Sequence, residues 1–449
     1  MRTVRDKLES QSAVKSFFQY LLPTLLGMML MSVNIVIDGI FVGNGIGPVA
    51  LASVNIAVPV FSIIISITLL IGIGGGTLYS MAMGEGDEEK AKKIFSLSFI
   101  LVTIITLLVS IIGLLNMDGI ASFFGANEET LPYVKDYMYI LFLFSLIIAW
   151  ETCLSIFVRN DGAPQLAMIA LIVSAILNIG LNYWMIFILK LEVTGAALAT
   201  VLATALGLLV LVIHFFRKGS SLKFAPITFN KRAIKQIGSI GFPSFLSEIG
   251  MGVFVIGYNI AMAHYVGTNG LAAFSVINYL HTFMFLAFIG IGSSIQPMIS
   301  YYYGAKKFQM IKETVKIAEV SGIILGVLFI IIGYLGADYL VQIFGVASDV
   351  IAELATSGMK LFFLGYLFMG INFIYMTYYQ SIGYARPSIM ITIFRGFILL
   401  IFMLLVLPLL FGVNGIWLAL PVAEAIVAVV LLWYARPAIM TENLRAQAK

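Results

Sequence analysis

Charged residues are scarce in this chain of 449 residues, and histidine and cysteine are scarcer still. Asp, Glu, Lys and Arg make up 11% of the sequence, whereas 61% of the residues are hydrophobic. Ordinary soluble domains carry about a quarter charged residues. A chain this poor in charge cannot cover its own surface in water, so lipid must be the solvent for most of it. The composition excludes a soluble globular protein and predicts an integral membrane protein.

The chemistry of most enzymes is also missing. A single cysteine, Cys153, excludes an intrachain disulfide, and the three histidines form no metal-binding spacing. The glycine run GIGGG at 72–76 lies inside an apolar stretch, without the strand–turn–helix context of a phosphate loop. We expect these glycines to allow close helix packing instead. The sequence therefore predicts no enzyme, no metal and no cofactor, and an ion gradient as the energy source.

Twelve apolar runs approach or exceed the roughly 20 residues that cross about 30 Å of hydrocarbon as a helix. The first begins at Phe17 and is too long for a signal peptide. The runs fall at about 17–42, 49–82, 94–115, 133–158, 164–189, 193–216, 236–263, 271–303, 315–337, 358–381, 388–411 and 413–435. We therefore predict about twelve transmembrane helices.

Lysine and arginine are distributed very unevenly over the loops. With twelve spans, both termini and the loops after even-numbered helices share one side, and that side holds nearly all of the 26 basic residues. The other side holds Lys135, Lys190 and Lys360, and Arg395 falls within a span. The positive-inside rule then places both termini in the cytoplasm. It also accounts for the basic loop at 217–235, so no nucleic-acid partner is expected.

The two halves of the chain resemble each other at an offset of about 220 residues. The matching landmarks are Pro23 and Pro243, Gly84 and Gly304, Gly195 and Gly415, and ALASVN at 50–55 with AAFSVIN at 272–278. Because each copy has six spans, the copies share one orientation, as in transporters that alternate access by rocking two lobes. We predict an all-α membrane protein with six-helix lobes at 1–216 and 236–449, joined by a cytoplasmic linker at 217–235.

One lobe carries a polar cluster that its copy lacks. Asp38 lies near the outer end of the first helix, and an acid in the membrane is a functional candidate by default. Asn178 and Asn182 share one face of the fifth helix, and Thr200 lies at similar depth on the sixth. The residues at the repeat positions are Tyr258, Ile398, Phe402 and Leu420. We predict that the four polar residues bind the coupling proton or cation; structural hydrogen bonding between helices is the alternative for Asn and Thr.

Other residues are candidates for a hinge and a substrate pocket. Pro23 removes a backbone hydrogen bond and makes the first helix easy to bend. The candidate pocket residues are Met28, Met31, Tyr139, Glu248, Met251 and His281. Glu151 and Glu248 are acids within spans whose participation stays open, and Arg395 and Glu424 are candidates for a structural ion pair.

On these residues the chain resembles the multidrug and toxic compound extrusion (MATE) family over nearly its whole length. The resemblance rests on Pro23 with Asp38, FVRNDGAP at 157–164, LNIGLN at 177–182, VTGAALAT at 193–200, AAFSVIN at 272–278 and QPMISYYYG at 296–304. It implies twelve helices in two lobes forming a V, and the DinF-like branch looks closest because its acid on the first helix matches Asp38. Related members often carry Asp at the position of Asn182. Since Asn cannot titrate, a sodium site with two carboxylates is in doubt.

The resemblance and the lone acid together predict a secondary exporter that exchanges cationic or amphipathic compounds for protons. The alternatives are a sodium-coupled exporter of the same family and a flippase for lipid-linked precursors. A flippase should line its cavity with several basic residues, and Arg395 alone lies well inside a span. We expect a monomer in a bacterial or archaeal plasma membrane, with organic cations, amphipathic drugs and membrane lipid as its partners.

Overall fold

Helices form almost all of the structure, a computed structural model that describes residues 11–226, 229–343 and 348–440. Within these ranges no β-strand occurs, and eleven helices are long and apolar enough to cross a membrane. A twelfth span is formed by a pair of helices, Leu131–Leu143 and Ser145–Asn160, bent by 54° at Phe144. The prediction of an all-α membrane protein with about twelve spans in two six-helix lobes is confirmed.

The spans follow the predicted runs closely. The first six are Ala13–Gly45, Pro48–Glu85, Glu88–Leu115, the bent pair, Pro164–Ile188 and Glu192–Phe216. The seventh to twelfth are Lys231–Tyr265, Thr268–Gly304, Phe308–Leu335, Asp349–Ser381, Ala385–Phe411 and Val413–Met440. Short helices, Met117–Phe123 and Ala337–Ile343, precede the fourth and the tenth span.

Local sequence explains where the spans begin and end. The second helix ends at Gly86, whose φ of 82° is the left-handed conformation that glycine adopts without a steric penalty. Asp87 then caps the third helix, because its carboxylate accepts a hydrogen bond from the Lys90 N–H at 2.9 Å. Asn230 does the same for the seventh helix through the Arg232 N–H at 2.9 Å, so this helix begins inside the predicted linker.

The contacts divide the chain into two units. One consists mainly of Leu22–Glu248, and the other of Ala13–Leu21 together with the chain from Ile249 onward. The first helix therefore passes from one unit to the other just before Pro23. The segment after the sixth span belongs to the first unit, where Leu222 is buried and Phe224 packs against Phe95. Residues 227 and 228 of the predicted linker lie outside the described residues.

The glycines at 72–76 are packing positions, as the sequence predicts. A Cβ on Gly74 would collide with the backbone carbonyl of Ile237, and one on Gly75 would collide with the Ser98 hydroxyl. Across the same contact, a Cβ on Gly241 would collide with the carbonyl of Leu70. The second and seventh helices can approach this closely only because each presents glycine to the other's backbone.

Gly241→Ala should therefore destabilise the protein by about 1–3 kcal/mol, because backbone atoms cannot yield as a flexible side chain can. The matched control is Gly238→Ala on the same helix, where a Cβ meets nothing within 4 Å. Alanine is the better helix former, so this control should unfold at the same temperature as the wild type or slightly above it. Thermal unfolding of the two purified variants compares them directly. Equal midpoints would contradict the close approach of these helices.

Candidate coupling site

Asp38 lies at the centre of a polar cluster in the unit formed mainly by Leu22–Glu248. The Nδ2 of Asn182, on the fifth helix, donates to Asp38 Oδ1 at 2.7 Å. The Nδ2 of Asn34, one turn earlier on the first helix, donates to Asp38 Oδ2 at 3.3 Å. Side-chain amide groups on two helices thus donate to both oxygens of the carboxyl.

Asn178 connects this carboxyl to the sixth helix. Its Oδ1 accepts from Asn34 at 3.1 Å and from Asn182 at 3.0 Å, and its Nδ2 donates to the Thr200 hydroxyl at 3.2 Å. The amide atom that faces Asp38 lies 2.6 Å from Oδ1 of the carboxyl. Asn178 and Asn182 are buried. The structure therefore brings all four predicted residues together, while their role in coupling stays a prediction.

Two further residues, Asn34 and Tyr137, complete the cluster, and neither was predicted from the sequence. Asn34 has the i, i+4 spacing to Asp38 that places two side chains on one helix face, so its signal was present in the sequence. Tyr137, on the fourth span, hydrogen-bonds to Thr200 and lies within electrostatic reach of Asp38. The predicted pocket residue Tyr139 lies two positions along and is 46% exposed.

Asp38 is the one carboxyl among the described residues of this cluster. Asn34, Asn178, Asn182 and Thr200 cannot ionise at physiological pH, and a tyrosine does so only under strongly alkaline conditions. One proton therefore decides whether the cluster carries a negative charge or none. A charge in a membrane interior is costly, so this difference is large enough to favour one helix arrangement over another.

The other unit shows what stands at the repeat positions. Tyr258 is fully buried, stacks on Phe274 with ring centroids 5.0 Å apart, and its hydroxyl accepts a hydrogen bond from the Leu420 N–H at 3.0 Å. Ile398 and Phe402, at the positions of the two asparagines, are 48% and 52% exposed. The polar layer of one lobe is thus replaced by aromatic packing and an apolar outer surface in its copy.

The remaining predicted residues are scattered over the two units. Pro23 is buried inside the first helix, and Met28, Met31 and Met251 are partly buried. Glu248 is hydrogen-bonded to Ser62 of its own unit. His281 is enclosed by Phe254, Phe285, Phe362 and Tyr366, and one of its ring nitrogens lies 3.1 Å from the Tyr366 hydroxyl. Their assignment to a substrate pocket stays a prediction.

Four other acids, Glu151, Asp161, Glu319 and Glu424, are buried among the described residues. Glu151 lies near Arg159 and keeps one carboxylate oxygen, Oε1, buried without a hydrogen-bond partner. Glu424 pairs with Arg395 at 3.4 Å and accepts a hydrogen bond from Asn372 at 2.6 Å. Arg395 also stacks on the Phe373 ring, 4.0 Å from its centroid. The candidate pair of Arg395 and Glu424 therefore exists, and its geometry is that of a structural contact.

Asp161 lies in the turn after the fourth span and forms a hydrogen-bond network that the sequence did not indicate. Its carboxylate accepts from the Tyr79 hydroxyl at 2.8 Å, contacts a ring nitrogen of His214 at 2.7 Å, and accepts from the Ser221 N–H at 3.1 Å. Asp161 thereby ties the second and sixth spans to the segment that leads out of this lobe.

No group of three or more His, Cys, Asp or Glu residues able to hold a metal ion occurs within residues 11–226, 229–343 and 348–440. With two six-helix lobes and a polar cluster around one carboxyl, Asp38, inside one of them, the chain has the architecture of an integral membrane transporter. Comparison with known proteins identifies its family.

A family model described as MatE matches residues 23–184 and again residues 243–406. The multidrug export protein MepA of Staphylococcus haemolyticus is 30% identical over 94% of this chain and 92% of its own length. MepA of Staphylococcus aureus is also 30% identical, over 94% of this chain and 93% of its own length. The chain belongs to the MatE family, a family of transporters and not of enzymes. The predicted resemblance is confirmed, and the DinF-like branch stays a prediction.

Solved structures agree on the fold. An outward-facing conformation of a multidrug resistance MATE family transporter of the MOP superfamily superimposes with a TM-score of 0.92. It is 23% identical and covers 98% of both chains. At that identity the likeness establishes the two-lobed membrane fold and leaves function to be argued from the residues.

Proposed function

We propose that this protein exports cationic or amphipathic compounds across the cell membrane in exchange for protons, with Asp38 as the residue that carries the proton. The observation that supports this most directly is the cluster of Asp38 with uncharged partners. Because Asp38 is the one titratable carboxyl of this cluster, taking up one proton makes the whole cluster neutral, and releasing that proton restores one negative charge. The kinship with proteins named multidrug export protein supports the substrate class.

The hydrogen bonds favour a proton over a sodium ion. Hard cations take oxygen ligands, whereas the groups that Asn34 and Asn182 direct at Asp38 are amide N–H donors. These donors occupy the carboxylate oxygens that a sodium ion would need. Sodium coupling remains the second candidate, because Oδ1 of Asn182 is buried without a hydrogen-bond partner and could serve as a ligand.

Exchange follows from the cost of charge in the membrane. Protonation of Asp38 from outside removes the negative charge that a cationic substrate would be attracted to, and the first helix rearranges about Pro23. The substrate leaves outward, the lobes change their access, and the proton is released inside. The first helix is suited to this step because it belongs to both units and changes from one to the other just before Pro23.

A flippase for lipid-linked precursors fits less well. Phosphate headgroups are recognised by Arg and Lys, often by bidentate contacts of a guanidinium. Arg395, the basic residue well inside a span, is instead engaged by Glu424 and by the Phe373 ring. The buried positive charge in this lobe is therefore already compensated.

We propose further that the protein acts as a monomer, with both termini in the cytoplasm.

Reconstituted protein tests the proposal with ethidium, a permanently charged fluorescent cation. Vesicles that are acidic inside should accumulate ethidium by exchange for internal protons, and nigericin with balanced potassium should abolish this uptake. Vesicles loaded with sodium at equal internal and external pH should accumulate none. Protein-free vesicles provide the background for each gradient.

Each outcome decides between the candidates. Uptake that follows the pH gradient supports proton antiport, and uptake that follows only the sodium gradient would replace it with the sodium-coupled alternative. Transport of a short-chain fluorescent lipid with no response to ethidium would favour the flippase instead.

A further inference from the structure

Asn178 occupies a position where its side-chain amide can take two orientations with different hydrogen-bond demands. One end of the amide lies 2.6 Å from Asp38 Oδ1, and the other end lies 3.2 Å from the Thr200 hydroxyl. An amide has an acceptor at one end and a donor at the other. Whichever end faces Asp38 therefore fixes which end faces Thr200.

With its oxygen toward Asp38, Asn178 requires a proton on the carboxyl. Two acceptor oxygens 2.6 Å apart repel each other unless one of them carries a hydrogen. In this orientation Asn34 and Asn182 both donate to the same Asn178 oxygen, at 3.1 and 3.0 Å. This arrangement suits a neutral Asp38 whose hydroxyl donates to the Asn178 oxygen, while the Asn182 oxygen stays buried without a partner.

With its nitrogen toward Asp38, Asn178 suits the ionised carboxylate. An ionised carboxylate only accepts, and it has room for the amide donors of Asn34, Asn178 and Asn182. The Asn178 oxygen then turns to the sixth helix, where it accepts from the Thr200 hydroxyl at 3.2 Å and from the Thr200 N–H at 3.3 Å. Charge-assisted hydrogen bonds of this kind are stronger than neutral ones. Loss of the proton from Asp38 therefore favours the orientation with the Asn178 nitrogen toward the carboxylate.

Rotation of the Asn178 amide reverses the direction of its hydrogen bond with the Thr200 hydroxyl. In the neutral state its hydroxyl accepts from Asn178 and donates to the Ala196 carbonyl at 3.2 Å. In the ionised state the same hydroxyl must donate to Asn178 and release Ala196, since a hydroxyl has a single hydrogen to give. Tyr137, which hydrogen-bonds to Thr200, then contacts a hydroxyl of changed polarity. The protonation state of Asp38 thereby changes hydrogen bonds on four spans, namely the first, fourth, fifth and sixth.

We propose that Asn178 is a positioning residue whose amide turns over with the protonation of Asp38 and transmits that state to Thr200. The inference rests on the proposed function, in which Asp38 carries the coupling proton. The groups that face Asp38 from the described neighbouring elements are Asn34 on its own helix, Asn178 and Asn182 on the fifth, and Tyr137 on the fourth. Of these, Tyr137 alone can titrate, and only at high pH.

Difference infrared spectroscopy of the lipid-reconstituted protein tests whether the Asn178 amide rotates when Asp38 changes its protonation state. Acidification should produce a protonated-carboxyl band that is absent in Asp38→Asn. A side-chain amide band should change at the same pH, and it should be missing both in Asn178→Leu and in Asp38→Asn. A carboxyl band without any amide change would overturn this inference and leave the proposed function standing. Absence of the carboxyl band in the wild type would remove the proposed function and this inference with it.

Transport variants test the transmission to the sixth helix. Thr200→Val should keep the carboxyl band yet lower proton-driven ethidium transport at least about fivefold, the lower end of ordinary coupling between sites. Thr200→Ser, which restores the hydroxyl, should restore coupling. The matched control is Thr204→Val, one helical turn later, because the Thr204 hydroxyl donates to the Thr200 carbonyl at 2.8 Å instead of to Asn178. Wild-type transport by Thr200→Val would show that no signal passes through this hydroxyl.

Discussion

Replacing Asp38 with asparagine is expected to lower proton-driven export at least about tenfold, because the only titratable carboxyl of the cluster is lost. The substitution keeps the size of the side chain and its capacity for hydrogen bonds to Asn34 and Asn182. It also removes a charge that is costly to hold within the membrane. We therefore expect a folded protein that binds substrate more weakly and no longer responds to the pH gradient. Vesicle transport of ethidium, normalised to protein content, measures the effect.

The control for this variant is Asp118→Asn, the same chemical change on an exposed acid. Asp118 pairs with Lys135 at 2.6 Å, with its side chain 73% exposed, and such pairs contribute at most about 1 kcal/mol. Transport by this control should equal that of the wild type. If Asp38→Asn also transported normally at normal protein levels, the proton would have to be carried elsewhere, and Glu151 would become the first candidate because of its unpartnered buried oxygen.

Breaking the buried ion pair of the other lobe should have the largest effect on stability. Glu424→Leu leaves the Arg395 guanidinium buried and uncompensated, and arginine cannot escape by losing its proton. Removing one partner of such a pair costs about 3–5 kcal/mol. Arg395→Met should cost less, since Glu424 left alone can neutralise itself by taking up a proton. Thermal unfolding in a mild detergent, followed by fluorescence, measures each loss.

The double variant separates charge from packing. Glu424→Leu with Arg395→Met removes both charges and should recover most of the loss, because apolar replacements of a buried pair are often neutral. Arg436→Met is the matched control, since Arg436 pairs with Glu319 at 3.3 Å but is about half exposed. Its cost should stay below that of Glu424→Leu, because Glu319 keeps its hydrogen bond from the Tyr375 hydroxyl at 2.6 Å and can take up a proton. A double variant as unstable as Glu424→Leu would mean that the pair contributes through shape and not through charge.

Much of the architecture could be predicted because lipid imposes simple rules on sequence. A spanning helix must be long, apolar and internally hydrogen-bonded, so the hydropathy runs located all twelve spans. The largest error in a boundary is at the tenth span, which begins at Asp349, nine residues before its predicted start at 358. The bend of the fourth span at Phe144 could not be predicted, because no proline or glycine lies at the bend. Helix starts at Asp87 and Asn230 depend on single side-chain caps, which explains why the predicted linker boundary misses the start of the seventh helix.

The candidate site was predictable in part for the same reason. Polar residues are rare in these spans, so Asp38, Asn178, Asn182 and Thr200 stood out, and helical spacing put the two asparagines on one face. Choosing between Tyr137 and Tyr139 required knowing which face of the fourth span packs inward, and a continuous apolar run does not reveal that. The contacts of Asp161 with His214 and Ser221 depend on the path of a loop, which no periodicity encodes.

The proposed function requires one carboxyl, Asp38, to exchange a proton for a cation, and proton release from purified protein measures this exchange. Binding of proton and substrate at one cluster must oppose each other reciprocally. Adding ethidium to wild-type protein in a weakly buffered solution near the midpoint of Asp38 protonation should release up to about half a proton for each cation bound, rising toward one at lower pH. Asp38→Asn should release none. Equal proton release by the wild type and by Asp38→Asn would contradict the exchange of a proton for a cation at Asp38.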